Sequence, residues 1–402
     1  MIGNLRLIQL ASASLAAYCL LVGAASAQGV KIGILNDQSG VYADFGGKGS
    51  IEAAKMAIED FGGSVLGQKI ELVSADHQNK PDLASSIARR WYDVEGVDMI
   101  TDLTTSSVAL AVQGVAAEKK KIDIVVGAAS SDLTGKACTA YGFHWAYDTH
   151  ALAVSTGGAL VKTGGDTWYF ITVDYAFGHA LEKDTSAVIE ADGGKVLGHV
   201  LYPLNAPDFS SFLLQAQSSK AKVVGLANAG TDTVNSIKQA AEFGIVAGGQ
   251  RLAALLMTLA EVHGLGLQAA QGLVLTESYY WDLNDRTREF GERFYKRTGR
   301  MPNMVQAGTY SATLQYLKAV KAAGTKDSDA VVKKLKELPV DDAFTSHGHV
   351  QANGRMVSDL YLFQVKKPSE SKRDWDYDNL LATVPGDTAY PTAANSGCPL
   401  TK

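Results

Sequence analysis

The sequence predicts an α/β fold of two parallel-sheet lobes. Short apolar runs alternate with amphipathic helical patterns from Val30 to Leu275. Strands separated by helices of this length make right-handed β-α-β units and hence parallel sheets. The alternation falls into two series, each large enough for its own sheet. The chain has 402 residues, more than the ~250–300 at which a single core usually splits.

The first series opens with the strand Val30–Leu35, followed by a helix over 49–61. Ile51, Ala54, Ile58 and Phe61 share one helical face, and Gly62-Gly63 ends the helix by supplying left-handed backbone. A strand over 69–74 and a helix over 82–95 come next. Asp82 reads as its cap and Leu83, Ile87, Trp91 and Val94 as its buried stripe. Val97–Thr101, a helix from Ser107 to Lys119, and Ile122–Val126 complete the series. The second series begins near His150, with strands at 168–173, 196–202, 223–227 and 252–256. Beyond Leu273-Val274-Leu275 the pattern turns to helices over 286–298, 305–323 and 328–338, then short strands at 349–351 and 361–365. No low-complexity linker separates the lobes, so ordered crossings are expected.

The first residues read as an export signal. Arg6 is the sole charged residue before Lys31, an apolar stretch covers Leu15 to Val22, and Ala25-Ser26-Ala27 is a cleavage pattern. Cleavage after Ala27 would place the protein in the periplasm. A membrane anchor is the alternative, but the run is shorter than the ~20 apolar residues of a span. Tyr18 before Cys19 argues against lipidation. Removing residues 1–27 leaves 375 residues, and the net charge of −5 becomes −6 because Arg6 is lost. A mildly acidic chain without a Lys/Arg block argues against nucleic acid and anionic membranes. Of three cysteines, Cys138 and Cys398 would remain. An even pair in an oxidising compartment reads as one disulfide, with two buried thiols as the alternative.

Motifs for catalysis are missing. Gly46-Gly47-Lys48-Gly49-Ser50 fails as a phosphate loop, since Gly49 follows the lysine and Phe45 stands where the spacing from Gly40 needs glycine. No Gly-x-Gly-x-x-Gly follows a strand and no Gly-x-Ser-x-Gly elbow occurs. His347-Gly348-His349 offers two imidazoles, too few for zinc, and His77 reads as part of a polar loop bonding its own backbone. The chain is therefore read as a non-enzyme without cofactor or metal. Hydroxyls and aromatics do cluster where strands end. They are Tyr42 and Phe45 after the first strand, Thr104-Thr105-Ser106-Ser107 after 97–101, and Ala128-Ala129-Ser130-Ser131 after Val125-Val126. In parallel sheets the ligand crevice lies at those ends, and a helix opening at Ser106 can hold a carboxylate. Ordinary helix capping is the plainer reading of each alone.

Those residues carry a resemblance. Val30–Gly63 with Ser39-Gly40 and Phe45-Gly46, Asp98–Lys136, Asp174–Gly178, Gln239–Gly244 and Thr309-Tyr310 together resemble the periplasmic branched-chain amino-acid-binding proteins. The resemblance spans nearly all of the mature chain. It implies a type I Venus-flytrap fold, with three crossings near 146–149, 273–277 and 344–348. Lobe 1 would hold residues 28–148 and 276–345, lobe 2 residues 149–275 and 346–402. It implies a monomeric receptor that closes on a small molecule and docks on an ABC-type permease. Phe45 matches an aromatic that covers the ligand, Thr105 a serine on the ligand carboxylate, Ala128 and Ser130 the rest of that cradle, and Phe177 a closing tyrosine. Tyr42, Thr104, Ser106, Tyr175 and Asn228 complete the candidate set.

One departure bears on the ligand. Amino-acid binders of this family place a glutamate after the strand that here ends Leu255-Leu256, to pair with the ligand ammonium. A buried ammonium without a partner costs several kcal/mol. The expected ligand is therefore a small hydrophobic, aromatic carboxylate, and the Phe45/Phe177 pair suits a flat ring. A branched-chain or aromatic amino acid, or a short amide, is the alternative, with Asp232 or Glu261 replacing the acid. A ligand sensor of the same fold is another.

Overall fold

A computed structural model of the chain describes residues 29–401; the expected export signal lies outside them. The first sheet is built from β1 (Lys31–Asn36), β2 (Glu71–Asp76), β3 (Met99–Asp102), β4 (Ile122–Val125) and β5 (Gly142–His144), in the order β2-β1-β3-β4-β5. All pairings are parallel, with Lys31 opposite Glu71 and Ile32 opposite Met99. Its helices are α1 (Gly47–Phe61), α2 (Pro81–Asp93) and α3 (Ser106–Lys119). β3, β4 and β5 are buried throughout, as strands covered on both faces are, and they enclose Asp102, Asp123 and His144 among their apolar residues.

The second sheet contains β6 (Thr167–Val173), β7 (Lys195–Tyr202), β8 (Val223–Ala227) and β9 (Arg251–Ala254), ordered β9-β8-β6-β7 and again parallel. It carries α4 (Ala176–Ala191), α5 (Ser210–Ser218), α6 (Gly230–Glu242) and α7 (Leu259–Leu265). A third, antiparallel sheet joins β10 (Val274–Glu277) to two late strands. Between them run α8 (Asp285–Thr298), α9 (Met304–Ala323) and α10 (Ser328–Glu337), then β11 (Leu360–Val365) and β12 (Asp378–Val384). α9 is buried on almost every side from Met304 to Leu317 and packs against α1. This α/β architecture of parallel sheets is the one expected from the alternating pattern.

Helix faces differ from the periodic reading. In α1 the deepest positions are Ala53, Ala54, Met56 and Ala57, while Ile51, Ile58 and Phe61 are half-buried. In α2 they are Ala84, Ala88, Trp91 and Tyr92, and Val94 is 79% exposed. Small alanines bring the helix axis close to the sheet, and the larger side chains flank that contact. Asp82 does not cap α2. Pro81 opens the helix and Asp82 lies in its first turn, where its charge faces the positive helix end.

The chain first passes from the first sheet to the second after β5, and a second passage follows β10 towards α8 and α9, the latter packing on α1. Residues 349–357 stay beside the first sheet, where Arg355 bridges to His144. Arg355 is buried there, donating to the Tyr147 carbonyl (2.9 Å), standing 3.6 Å from Asp148 and lying over the Tyr390 ring. Cys138 and Cys398 form a disulfide with 5.6 Å between Cα atoms, which holds the C-terminal tail on the first-sheet unit.

Two buried carboxylates meet near the second passage. Neither oxygen of Asp378 has a partner; one oxygen of Glu277 accepts from the Leu259 N–H (2.6 Å) and the other has none. Burial pushes Asp378 up to about 7 and Glu277 well up. A raised carboxyl pKa means the folded state holds the proton more tightly than the unfolded one. Its stabilisation is full below the unfolded value near 4 and is lost as pH rises towards 7. Asp378→Asn should therefore raise stability at pH 8 by at most roughly 4 kcal/mol, since each tenfold change in proton affinity is worth about 1.4 kcal/mol. At pH 4 it should change little. Denaturation at both pH values checks this, and equal effects at the two would refute it.

Candidate functional site

Loops from both sheets meet over a narrow cavity lined by Tyr42, Phe45, Thr104, Ser106, Gly127, Ala129, Tyr175, Phe177, Ala229 and Leu256. Every lining residue follows the carboxyl end of a parallel strand, where adjacent loops leave a crevice. Asp37 shapes the first loop. Its carboxylate accepts the N–H groups of Gly40 (2.7 Å) and Tyr42 (3.0 Å) and the Asn79 amide (2.7 Å), the local bonding by which aspartate sets a turn. That turn presents Tyr42 and Phe45. Phe45 stands edge-on to Tyr147 at 6.3 Å, and Tyr175 and Phe177 lie 6.0 Å apart on the opposite wall.

The two walls are in contact. The Tyr42 and Tyr175 hydroxyls are 2.6 Å apart, Thr231 N–H donates to the Val41 carbonyl (3.1 Å), and the Ser131 and Thr149 hydroxyls donate to Asp184 (2.8 and 2.6 Å). Burial raises both tyrosine pKa values, so both phenols stay neutral.

Three helices begin at the cavity. α3 starts at Ser106, α4 follows Tyr175 and α6 follows Ala229, and none of the three has a side-chain cap. Elsewhere α7, α8, α9 and α10 are capped by Thr258, Asn284, Asn303 and Asp327, while α1, α2 and α5 also lack a side-chain cap. Uncapped helix starts leave N–H groups and partial positive charge directed at whatever occupies the space. No lysine, arginine or histidine lines it, and no acid does.

Of the residues singled out in the sequence, Tyr42, Phe45, Thr104, Ser106, Tyr175 and Phe177 come together here. Thr105, Ala128, Ser130 and Asn228 do not line the cavity. The Thr105 hydroxyl donates to Asn79. Ala128 packs into the core beside β3 and α3 and its carbonyl meets His144. Ser130 bonds within its own turn, and Asn228 is held by Thr233 and Ser236. Asp102 and Leu103 have φ of 76° and 53°, and two successive left-handed residues turn Thr104 rather than Thr105 inward. Glu261 is committed to capping α7, accepting from the Thr258 N–H and hydroxyl (2.8 and 2.6 Å). Asp232 lies in the first turn of α6, where one oxygen accepts from the Asn205 N–H (3.0 Å). Neither lines the cavity, where Leu256 forms the wall, although the second Asp232 oxygen is buried without a partner and its charge acts on Tyr42 and Tyr175. Gly127 and Ala229 escaped the sequence reading because they offer backbone and no side-chain chemistry, and Ala129 was read only as part of the Ala128–Ser131 cluster.

Beneath Thr104 lies Asp102, fully buried. Asn36 donates an amide N–H to one of its oxygens (2.8 Å), while the other oxygen and the Thr104 hydroxyl have no partner. Burial pushes its carboxyl up to about 6, against the opposing effect of its hydrogen-bonding neighbours.

Comparisons with known proteins agree in one direction. The profile of the periplasmic binding proteins matches residues 29–372. A Leu/Ile/Val-binding protein homologue of Brucella melitensis is 25% identical, over 90% of this chain and 94% of its own length. A crystal structure of a periplasmic binding protein from Burkholderia mallei is 54% identical with a TM-score of 0.92, covering 94% of this chain and all of the other. A branched-chain amino acid ABC transporter ligand-binding protein from Burkholderia xenovorans is 42% identical with a TM-score of 0.83, over 93% and 100%. A solute-binding protein of R. palustris solved with benzoate shares the fold, with a TM-score of 0.82 at 21% identity over 93% and 100%.

Proposed function

Because the chain belongs to the periplasmic binding protein family and is the substrate-binding protein of an ABC transporter, we propose that its cargo is a small aromatic carboxylate. The carrying observation is the cavity's asymmetry of charge. Three uncapped helix starts offer N–H groups to an anion, and Leu256 stands where an ammonium would need an acid. Phe45 and Phe177 supply faces for a ring. The benzoate bound by the R. palustris neighbour is of this class. Both walls come from one chain, which supports a monomeric receptor delivering to an ABC-type permease in the periplasm.

A branched-chain amino acid is the second reading, favoured by the description of the Burkholderia xenovorans relative. Calorimetry with leucine, phenylalanine, benzoate and 4-hydroxybenzoate separates the two. The aromatic acids should bind and leucine should not. Ser106→Ala removes a hydroxyl at the helix start, and a bond to a charged group is worth about 1.5–3 kcal/mol. Affinity should fall roughly ten- to a hundredfold. Tight leucine binding with no response to the aromatic acids would sink the reading.

A further inference from the structure

Beneath the first-sheet wall of the cavity lies a buried carboxylate, one oxygen of which has no partner. Asp102 ends β3 with φ of 76°, a conformation that costs a non-glycine residue energy and persists where surroundings impose it. Its carboxylate lies against the backbones of Gly46 and Gly127. A methyl group on Gly127 would fall 2.7 Å from one oxygen, and a methyl on Gly46 2.9 Å from the other and 3.2 Å from the Thr104 hydroxyl. Gly127 and Thr104 both line the cavity. The groups facing Asp102 are Asn36 at the end of β1, Ser50 from α1, Thr104, and the Tyr147 phenol, which donates to the Gly127 carbonyl (2.7 Å). Asp37, next along from Asn36, is occupied by its own turn. No lysine, arginine or histidine is paired with Asp102 among the described residues. A buried charge without a cation is costly, and an unpartnered hydroxyl sits beside it.

We propose that Asp102 is the proton acceptor of the binding site, so that a carboxylate ligand enters the cavity together with one proton. The inference rests on the carboxylate reading above. When Asp102 is ionised, its charge draws the hydrogen of the neighbouring Thr104 hydroxyl towards itself, so that the hydroxyl presents lone pairs to the ligand, which repel a carboxylate. When Asp102 is protonated that pull is gone, and the Thr104 hydrogen is free to turn towards the ligand. The proton comes from solvent, and no covalent bond forms or breaks apart from the carboxyl O–H. The ligand anion in turn favours the neutral acid beneath it. Asp102 thereby selects for anions only while it is neutral. Burial, which raises its pKa in the ligand-free protein to about 6, sets the window.

Titration calorimetry with benzoate, 4-hydroxybenzoate and 3,4-dihydroxybenzoate between pH 5 and 8.5, in buffers of different ionisation enthalpy, counts protons directly. Affinity should be nearly constant from pH 5 to 6 and fall by up to about tenfold per pH unit above 6.5, with close to one proton taken up there. Asp102→Asn keeps the shape, an oxygen for Asn36, and a residue that tolerates the left-handed backbone. It should bind the acids with a flat profile and no proton uptake. A ladder of thermal stabilities for wild type and variant keeps folding separate from binding. Asp102→Glu, which displaces the acid against Gly46 and Gly127, should weaken binding at every pH. Benzoates that bind wild type with no proton uptake overturn this inference alone. Failure of all three acids to bind at any pH overturns the carboxylate reading, and this inference with it.

Discussion

Replacing Gly230 by alanine is expected to leave a folded protein that binds its ligand about a hundredfold more weakly. Gly230 opens α6 with φ of 64°, and a methyl group there would stand 2.3 Å from the Val41 carbonyl oxygen and 2.9 Å from the Tyr42 ring. Val41 and Tyr42 belong to the opposite wall, so the clash exists only when the walls meet. Relieving it requires parting them by nearly an ångström. That breaks the Thr231–Val41 and Tyr42–Tyr175 bonds and loosens contacts made to ligand from both sides. Two to three such bonds at about 1 kcal/mol each amount to roughly a hundredfold in affinity. The left-handed backbone costs alanine about 1 kcal/mol in the fold itself, so the melting temperature should drop only slightly. Calorimetry gives the affinity, and small-angle scattering with and without ligand should show contraction in the wild type and none in Gly230→Ala. An unchanged affinity would mean that the walls do not need to touch for tight binding.

What the sequence discloses and what it hides divide along physical lines. The strands were legible because burial on both faces leaves mostly apolar runs such as Ile122–Val126, which Asp123 alone interrupts. Tyr42 and Phe45 were legible because they follow a strand end, where crevices form, whereas Tyr175 and Phe177 entered with the family resemblance. The choice between Thr104 and Thr105 was not. It turns on the left-handed Asp102-Leu103 pair, and neither residue type announces that conformation. The buried faces of α1 and α2 were displaced from their large apolar residues because the alanines, not the leucine and isoleucines, let the helices approach the sheet. Asp102 was invisible for a related reason. An aspartate closing a strand ordinarily reads as a turn former, and only packing shows it sealed beneath a cavity without a cation.

Removing the Cys138–Cys398 bridge is expected to have the largest effect on stability. The two residues are 260 positions apart and their Cα atoms stand 5.6 Å apart, within the range a disulfide spans without backbone movement. Closing so long a loop restricts the unfolded chain strongly, and the entropic account allows about 5–6 kcal/mol at most. The native state should suffer as well. Residues 390–398 end on this bond, and Tyr390 both covers Arg355 and donates to the Ala146 carbonyl (3.2 Å). Arg355 in turn faces Asp148 at the first passage between the sheets. A released tail would admit water to that ion pair, so hydrogen exchange should quicken at 145–150 and 353–357 before it does in β3 or β8. Denaturant titration of the oxidised protein, the reduced protein and Cys138→Ser/Cys398→Ser measures the loss. Peptide mapping without reductant establishes that the bond is present in the periplasmic protein. Two free thiols, or equal stability with and without reductant, would refute the argument, because a loop of this length cannot be opened in the unfolded state at no cost.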